Sequence, residues 1–228
     1  MGAKDKLVVL IPTMNESNGI GPTLDEIRNV LGDVPCLVVD RSTDTTGRVA
    51  EEHGAKVIVQ TGKGKGRAVK QGLARLKGGA SLIVLTDGDF TYPAEAIQKF
   101  VAIAENDPTI GMVAGNRFGK ELGPGVLGST FYVGNKIISQ FHNILSRQRM
   151  ADPLTGLRLL RADLFRDWKP LATGFDIEVE MNQYVADRGY RIAEIPITYR
   201  VRLGKKKLKP RDALWIVIRM TTSWLRGL

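Results

Sequence analysis

The stretch Ser81–Pro93, S-L-I-V-L-T-D-G-D-F-T-Y-P, decides how this chain folds. Its apolar and β-branched run Leu82–Thr86 indicates a strand buried on both faces, because such strands are continuously hydrophobic instead of alternating. Asp87 and Asp89 follow at once, separated by one glycine. Two carboxylates there fit a divalent cation that also binds phosphate oxygens, and they fit a solvated turn equally well. The stretch alone leaves both interpretations open.

Strand and helix patterns alternate along most of the chain. The predicted strands are Lys6–Ile11, Cys36–Val39, Lys56–Gln60, Leu82–Thr86, Gly111–Ala114 and Arg191–Tyr199. The helical patterns between them and the short connections predict an α/β fold, with a mostly parallel, doubly wound sheet and helices on both faces. Pro196 cannot donate to a neighbouring strand, so the last strand is predicted at a sheet edge.

Acidic and turn-forming residues follow three of these strands, in Pro12–Glu16, Asp40–Asp44 and Asp87–Asp89. Ligands of open α/β sheets bind beyond the carboxyl ends of the strands. The repeated placement therefore predicts a nucleotide site at one edge of the sheet. The loop Thr61–Gly66 is not a P-loop, because Arg67 follows it where Lys and then Ser or Thr are required. By itself this loop indicates a solvated helix start.

Composition argues against several other kinds of site. Cys36 is the only cysteine, which excludes an internal disulfide and a cysteine-rich metal site. His53 and His142 are the only histidines, which argues against a histidine metal site or a Ser-His-Asp triad. The sequence has no signal-peptide pattern and no run of about 18 apolar residues. A cytoplasmic chain without a membrane-spanning segment of its own is expected.

Positive charge is concentrated near the carboxyl terminus. Residues 200–228 hold nine Lys or Arg and one acid, whereas residues 1–199 hold 24 basic and 23 acidic residues. This distribution argues against a nucleic-acid-binding surface and for a local patch that faces phosphates or an anionic membrane surface.

Two apolar patterns near the basic segment predict amphipathic helices, at Ser129–Ser146 and Asp212–Leu225. Two tryptophans beside arginines in the second pattern favour a helix that lies in the headgroup region of a membrane. Packing on the domain or on a second subunit is the alternative. A third interpretation is a chain shortened from one that continues into membrane helices. The oligomeric state stays open.

Eight stretches that occur in order resemble glycosyltransferase family 2, and most of all its polyprenyl (dolichyl) phosphate sugar synthases. They span about residues 7–210 and are V-L-I-P-T-M-N-E (Val9–Glu16), V-V-D-R-S-T-D (Val38–Asp44), G-K-G-R-A (Gly64–Ala68), L-T-D-G-D (Leu85–Asp89), G-N-R-F (Gly115–Phe118), D-P-L-T-G-L-R (Asp152–Arg158), I-P-I-T-Y (Ile195–Tyr199) and R-L-G-K-K-K-L (Arg202–Leu208).

The resemblance implies a GT-A fold and a metal-dependent, inverting transfer of a hexose from a nucleotide sugar to dolichyl or polyprenyl phosphate. GDP-mannose is the first candidate donor and UDP-glucose the second. Residues 1–200 would form the catalytic domain, and residues 201–228 a basic closing loop and a helix on the cytoplasmic face of the membrane. A transferase with a soluble acceptor and a non-catalytic nucleotide-binding module are the alternatives.

The same resemblance implies roles for individual residues. The nucleotide sugar would bind Pro12, Thr13, Asn15, Glu16, Asp40, Lys65, Asp87, Gly88, Asp89, Arg117, Arg202 and Lys207. Mg²⁺ or Mn²⁺ would bind Asp87, Asp89 and Thr91, and Thr91 stands where the family often has glutamine. The catalytic set would be Asp89, Arg117, Asp152 and Arg202.

Overall fold

The computed structural model describes residues 7–76, 79–119, 130–146 and 148–226. Within these residues, seven strands form one sheet in the order β3-β2-β1-β4-β6-β5-β7. The strands are β1 (Leu7–Thr13), β2 (Cys36–Asp40), β3 (Lys56–Val59), β4 (Leu82–Leu85), β5 (Ile110–Asn116), β6 (Arg158–Arg161) and β7 (Arg191–Pro196). The predicted edge position of the strand with Pro196 is confirmed.

Helices connect the strands and cover the sheet. They are α1 (Ile20–Leu31), α2 (Thr46–Glu52), α3 (Lys65–Arg75), α4 (Glu95–Asn106), α5 (Thr130–Leu145), α6 (Ala162–Phe165), α7 (Ile177–Asp187) and α8 (Pro210–Arg226). Apolar residues of α1 and α4 pack on one face of the sheet. Those of α3 and α7 pack on the other face. The predicted doubly wound α/β fold is confirmed.

Strand β4 is the centre of both cores. Val84 points to the face covered by α1 and α4, and Ile83 and Leu85 point to the face covered by α3 and α7. All four residues of β4 are buried. A strand with helices on both faces needs apolar side chains at every position, which explains the unbroken apolar run in the sequence.

The directions of the strands bring the loops that carry the predicted site residues to one edge of the sheet. Strands β1 to β4 run parallel, and β6 lies antiparallel to both β4 and β5. The carboxyl ends of β4 and β5 and the amino end of β6 therefore meet. The segment Asp152–Gly156 precedes β6 and so reaches the same edge as Asp87, Asp89 and Arg117.

A third, smaller apolar cluster attaches α8 to the domain. Ile216 and Met220 of α8 pack against Val179 of α7, and side chains of α5 complete the cluster. Arg219 donates a 3.0 Å hydrogen bond to Asp176, next to the start of α7. One face of α8 therefore packs on the domain, which was the alternative to a helix that lies only in the membrane interface.

Candidate active site

The turn after β4 holds Asp89 in a fixed position. Asp89 is fully buried. Its Oδ1 accepts hydrogen bonds from the backbone N–H of Thr91, at 3.1 Å, and from the Thr91 hydroxyl, at 2.6 Å. Its Oδ2 lies 2.5 Å from Nη1 of Arg202. In this structure the Thr91 side chain therefore orients Asp89, and its role as a metal ligand stays a prediction.

Backbone geometry around Asp89 is unusual. Phe90 has a φ of 65°, a region that bulky residues rarely adopt, and its N–H donates a 3.1 Å hydrogen bond to the Thr23 hydroxyl. Gly88 is required on steric grounds, because a Cβ there would lie 2.8 Å from Cγ2 of Thr13. The turn therefore packs directly against β1 and α1, which holds both carboxylates at the sheet edge.

Asp87 is one of two carboxylates that share a lysine. Nζ of Lys65 lies 2.7 Å from Asp87 Oδ1 and 2.8 Å from Glu178 Oε1. Burial alone would lower the pKa of Lys65, but the two carboxylates raise it well above its ordinary value. Burial raises the pKa of Asp87, yet the attraction of Lys65 outweighs this and the pKa of Asp87 is lowered. Lys65 and Asp87 are therefore charged near neutral pH.

The Gly/Lys loop differs from its expected form. Lys65 is nearly buried, and the N–H of Gly66 donates a 3.1 Å hydrogen bond to the carbonyl of Gly174. The prediction of a solvated helix start is therefore wrong at Lys65, although Thr61 and Lys63 are exposed. The first turn of α3 is occupied by a neighbouring loop, which agrees with the absence of a P-loop motif.

Arg117, in the wall of the cleft, forms a buried ion pair with Asp152 behind it. Arg117 donates from Nε to Oδ2 and from Nη2 to Oδ1 of Asp152, both at 2.7 Å, and its backbone N–H bonds to Oδ2 at 3.0 Å. Glu194 of β7 accepts the backbone N–H of Asp152 at 2.8 Å. Burial opposes the charge on Arg117, but Asp152 raises the pKa of the guanidinium. Asp152 thus positions Arg117.

The basic segment after β7 folds over the carboxylates. The N–H of Leu203 donates a 3.1 Å hydrogen bond to the carbonyl of Asp89. Lys207 Nζ contacts Glu16 Oε1 and donates to the carbonyl of Asn15 at 3.0 Å. Burial raises the pKa of Glu16, and the hydrogen bond from Lys207 partly offsets this. Arg202 pairs with Asp89 and lies 3.8 Å from Oε1 of Glu16, so Arg202 and Lys207 both lie at the acids of the same site.

Asp40 supports the loop after β1. Its Oδ1 accepts a 2.6 Å hydrogen bond from the hydroxyl of Thr13 and a 2.5 Å bond from that of Ser42. Asn15 has a φ of 55°, and its side-chain oxygen accepts the N–H of Thr43 at 2.8 Å. The ends of β1 and β2 are thereby joined into one surface.

These elements enclose a cleft of about 920 Å³. Of the residues predicted to bind substrate or metal, those that line the cleft are Pro12, Thr13, Asn15, Glu16, Lys65, Asp87, Gly88, Asp89, Thr91, Arg117, Arg202 and Lys207. Asp40 and Asp152 lie one layer behind the wall and each holds a lining residue. Leu154, Phe175, Leu208 and Ile216 line the cleft as well and make part of its wall apolar.

The carboxylates fit a divalent cation that is shared with a ligand. Among the described residues, no group of three or more His, Cys, Asp or Glu could hold a metal by itself. Oδ2 of Asp89 is buried and has no hydrogen-bond partner in the same part of the chain, although Arg202 faces it as an ion pair. Mg²⁺ is commonly held by one or two carboxylates and by substrate phosphates. Asp89 and Asp87 offer that arrangement.

Tyr92, Gly156 and Glu178 are among the residues of the cleft wall that sequence reasoning did not assign to the site. The hydroxyl of Tyr92 accepts the N–H of Gly156 at 2.7 Å, which holds the loop before β6 against the turn after β4. Glu178 had a sequence signal, because it is one of three closely spaced acids at the amino end of α7, and the structure buries all three. Buried carboxylates need cations or hydrogen-bond donors as partners, so a cluster of them on a buried helix indicates a candidate binding site.

Similar proteins agree with this architecture. Residues 8–168 match the model of "Glycosyl transferase family 2". The glycosyltransferase AglJ of Haloferax volcanii is 35% identical over 89% of this chain and 65% of its own length. A dolichyl-phosphate hexose transferase of the same organism is 35% identical over 90% of this chain and 88% of its own. The chain thus spans slightly less than two thirds of AglJ.

Solved structures show the same fold. The glucosyl-3-phosphoglycerate synthase of Mycobacterium tuberculosis, in a complex with Mn²⁺, UDP and glucosyl-3-phosphoglycerate, superposes with a TM-score of 0.72 at 22% identity. The match covers 97% of this chain and 79% of that one. The expected GT-A type of α/β fold is confirmed. The chain belongs to glycosyltransferase family 2.

Proposed function

We propose that this chain transfers a hexose from a nucleotide sugar to a polyprenyl phosphate, with a divalent cation and with inversion at the anomeric carbon. One observation carries the proposal. A single cleft joins a charged part, with Asp87, Asp89 and Arg202, to an apolar part, with Phe175 and Ile216. A donor diphosphate requires the first part, and a lipid phosphate requires both.

The charged part suits a nucleoside diphosphate. Mg²⁺ or Mn²⁺ held by Asp89 and Asp87 would neutralise the diphosphate and stabilise it as a leaving group. Arg202 and Lys207 come from a segment that lies over the cleft and would supply further positive charge to the phosphates. Arginine binds phosphate through paired N–H groups, and lysine acts as a point charge.

The chemical step needs no proton transfer from the protein. A phosphate oxygen of the acceptor forms a bond to the anomeric carbon while the bond from that carbon to the donor diphosphate breaks. The electron pair of the broken bond leaves with the nucleoside diphosphate. The acceptor phosphate is already anionic near neutral pH, so a general base is not required. Arg117, held rigidly by Asp152, is suited to orient that phosphate.

The outer surface near the apolar part suits a membrane. Helices α5 and α8 expose a set of apolar side chains: Val133, Ile137, Ile144, Leu214, Trp215, Ile218, Trp224 and Leu225. The basic residues Lys205, Lys206, Lys207 and Lys209 directly precede α8. None of the helices in the described residues is both long and apolar enough to cross a bilayer. Residues 201–228 would thus supply the closing loop and a peripheral membrane anchor, with the exposed faces of α5 and α8 in the headgroup region.

The names of relatives support a lipid acceptor. A 35% identical protein is a dolichyl-phosphate hexose transferase. A Pyrococcus furiosus protein that is 29% identical is a dolichol-phosphate mannosyltransferase. GDP-mannose and UDP-glucose are therefore the first two donors to test.

A transfer assay tests the proposal. The purified chain is incubated with Mn²⁺, either donor and a short polyprenyl phosphate in detergent, and a parallel reaction contains 3-phosphoglycerate instead. We expect the hexosyl lipid as product, with the anomeric configuration inverted in its NMR spectrum. Asp89→Asn is the matched inactive control. Transfer to 3-phosphoglycerate without transfer to the lipid would establish the soluble-acceptor alternative, and binding without any transfer would establish the non-catalytic one.

A further inference from the structure

We infer that Glu178 recognises the hexose of the donor, by accepting a hydrogen bond from one of its hydroxyl groups through Oε2. This inference rests on the proposed function and adds a specificity-determining residue to it. Glu178 lies on α7, lines the cleft and is almost fully buried. Oε1 is paired with Lys65 at 2.8 Å.

The second carboxylate oxygen of Glu178 is what the site leaves unsatisfied. Within the described parts of the chain, Oε2 of Glu178 has no hydrogen-bond partner. A buried carboxylate oxygen without a donor is costly, so native structures usually supply one from protein, water or ligand. The cleft therefore offers no hydrogen-bond donor to Oε2 of Glu178, and a bound substrate can supply one.

The charges around Glu178 determine which chemical group fits. Lys65 supplies a full positive charge to Oε1. Arg158 interacts electrostatically with the same carboxylate, while its Nε and Nη2 donate to the carbonyls of Thr155 and Pro153. With two cations already present, a further cation is disfavoured, and an anion is repelled by the carboxylate itself. A neutral donor group remains, and a hydroxyl is the neutral donor that a hexose carries.

The position of Glu178 relative to the diphosphate site agrees with a bound hexose. Lys65 bridges Glu178 and Asp87, so the two carboxylates are separated by a single ammonium group. Asp87 belongs to the turn that would hold the cation and the diphosphate. The hexose is attached directly to the distal phosphate of the donor. A group one ammonium away from Asp87 is therefore within reach of the sugar.

Neighbouring Glu180 provides a matched control. It lies two residues further along α7 and is also buried, but its oxygens accept the backbone N–H groups of Leu171 and Ala172 at 2.8 and 2.6 Å. The same substitution, glutamate to glutamine, can be made at both positions. Only Glu178 has an oxygen that is free to accept a hydrogen bond from a ligand.

The test compares nucleotide sugars with the same nucleotides that lack the sugar. Dissociation constants of GDP-mannose, GDP, UDP-glucose and UDP are measured by calorimetry with Mn²⁺ for wild type, Glu178→Gln and Glu180→Gln. We expect Glu178→Gln to raise the dissociation constant of the nucleotide sugar about tenfold or more, which corresponds to the loss of a hydrogen bond to a charged group. The dissociation constant of the nucleoside diphosphate should change by less than about twofold. Glu180→Gln should leave the ratio of the two constants unchanged.

Other outcomes separate the competing explanations. Equal weakening of both ligands, or of neither, overturns the inference, because Glu178 would then only hold Lys65 or bind a water molecule. Failure of the wild type to bind either nucleotide sugar overturns the proposed function as well. If Glu178→Gln does not fold, Glu178→Asp replaces it in the test, because it keeps a carboxylate as the counterion of Lys65. A monodeoxy donor should then bind wild type and Glu178→Asp equally, since its missing hydroxyl is the partner.

Discussion

Nη1 of Arg202 lies 2.5 Å from Oδ2 of Asp89, at the carboxylate oxygen that a divalent cation is expected to bind. One carboxylate oxygen in this buried position has room for one positive neighbour at close range. The guanidinium of Arg202 takes that place in this structure and would have to withdraw for a cation to bind Oδ2. After that movement, Arg202 would be available to the donor phosphates.

Replacement of Arg202 by methionine should affect metal binding and catalysis in opposite directions. Without donor, Arg202→Met should bind Mn²⁺ about tenfold more tightly, corresponding to about 1.4 kcal/mol, because a competing cation has been removed. With donor, transfer should be slower. Electron paramagnetic resonance of free Mn²⁺ measures the first effect. Arg48→Met, which removes a surface arginine paired with Glu52, is the control. Equal Mn²⁺ affinity in wild type and Arg202→Met contradicts the proposed competition.

Replacement of Asp89 by asparagine should remove activity without removing the fold. We expect transfer to fall by roughly a hundredfold to a thousandfold, since charge stabilisation of the leaving group is lost. The side chain keeps its size and can still accept the bonds from Thr91. Arg202 is partly exposed, so loss of its ion pair should cost little stability. Transfer rates and circular dichroism check the two parts. Normal transfer with Mn²⁺ in Asp89→Asn would overturn the metal assignment.

Breaking the ion pair of Arg117 and Asp152 should cost more stability than breaking that of Arg202 and Asp89, because both of its groups are buried. Asp152→Asn leaves a buried guanidinium without its counterion, which should cost about 3 kcal/mol of unfolding free energy. In a protein of this size that lowers Tm by about 6–12 °C. The double variant Arg117→Met with Asp152→Leu should regain most of the stability and still fail to transfer. Recovery of transfer in the double variant would show that Arg117 does not contact substrate.

His142 should make stability depend on pH. It is buried between α5 and α7, where burial lowers its pKa from 6.5 to about 4, and Nε2 faces the amide nitrogen of Asn182 at 3.3 Å. The folded protein thus keeps this imidazole neutral, whereas the unfolded chain protonates it below its ordinary pKa. The free energy of unfolding should fall by up to about 1.4 kcal/mol per pH unit as pH drops from about 6.5 towards about 4.

Urea unfolding at several pH values measures that contribution as a difference between wild type and His142→Gln. Carboxylates titrate in the lower part of the same range, but they are common to both proteins. We expect the two unfolding free energies to converge as the pH is lowered, because the variant has no imidazole to protonate. Parallel pH curves would mean that the pKa of His142 is the same in the folded protein and in the unfolded chain, and would contradict the lowered pKa.

The exposed face of α5 and α8 should bind anionic membranes. Trp215→Ser combined with Ile218→Ser should lower flotation of the chain with vesicles that contain anionic lipid, because about 1.5–3 kcal/mol is lost for each large apolar side chain that no longer inserts. Val59→Ser is the matched control, since Val59 is an exposed apolar residue on β3, at the other end of the sheet. Equal flotation of the double variant and the wild type would remove α8 from the proposed membrane surface.

Local sequence determined much of the fold. A strand with helices on both faces must be apolar at every position, and this is visible in Leu82–Leu85 without any knowledge of its neighbours. The alternation of such strands with amphipathic helices then fixed the doubly wound class, and Pro196 fixed an edge strand. The acids after β1, β2 and β4 likewise fixed the edge of the sheet at which the site lies.

Only the tertiary structure decided how the charges pair. Lys65 and Glu178 are 113 positions apart in the sequence numbering, and their contact depends on how α3 and α7 pack on the same face of the sheet. Sequence patterns report the burial preference of one element at a time, and a charged side chain in a loop or helix start appears solvated until its neighbours are known. Burial then sets the outcome, because a carboxylate removed from water must find a cation, a hydrogen-bond donor or a ligand.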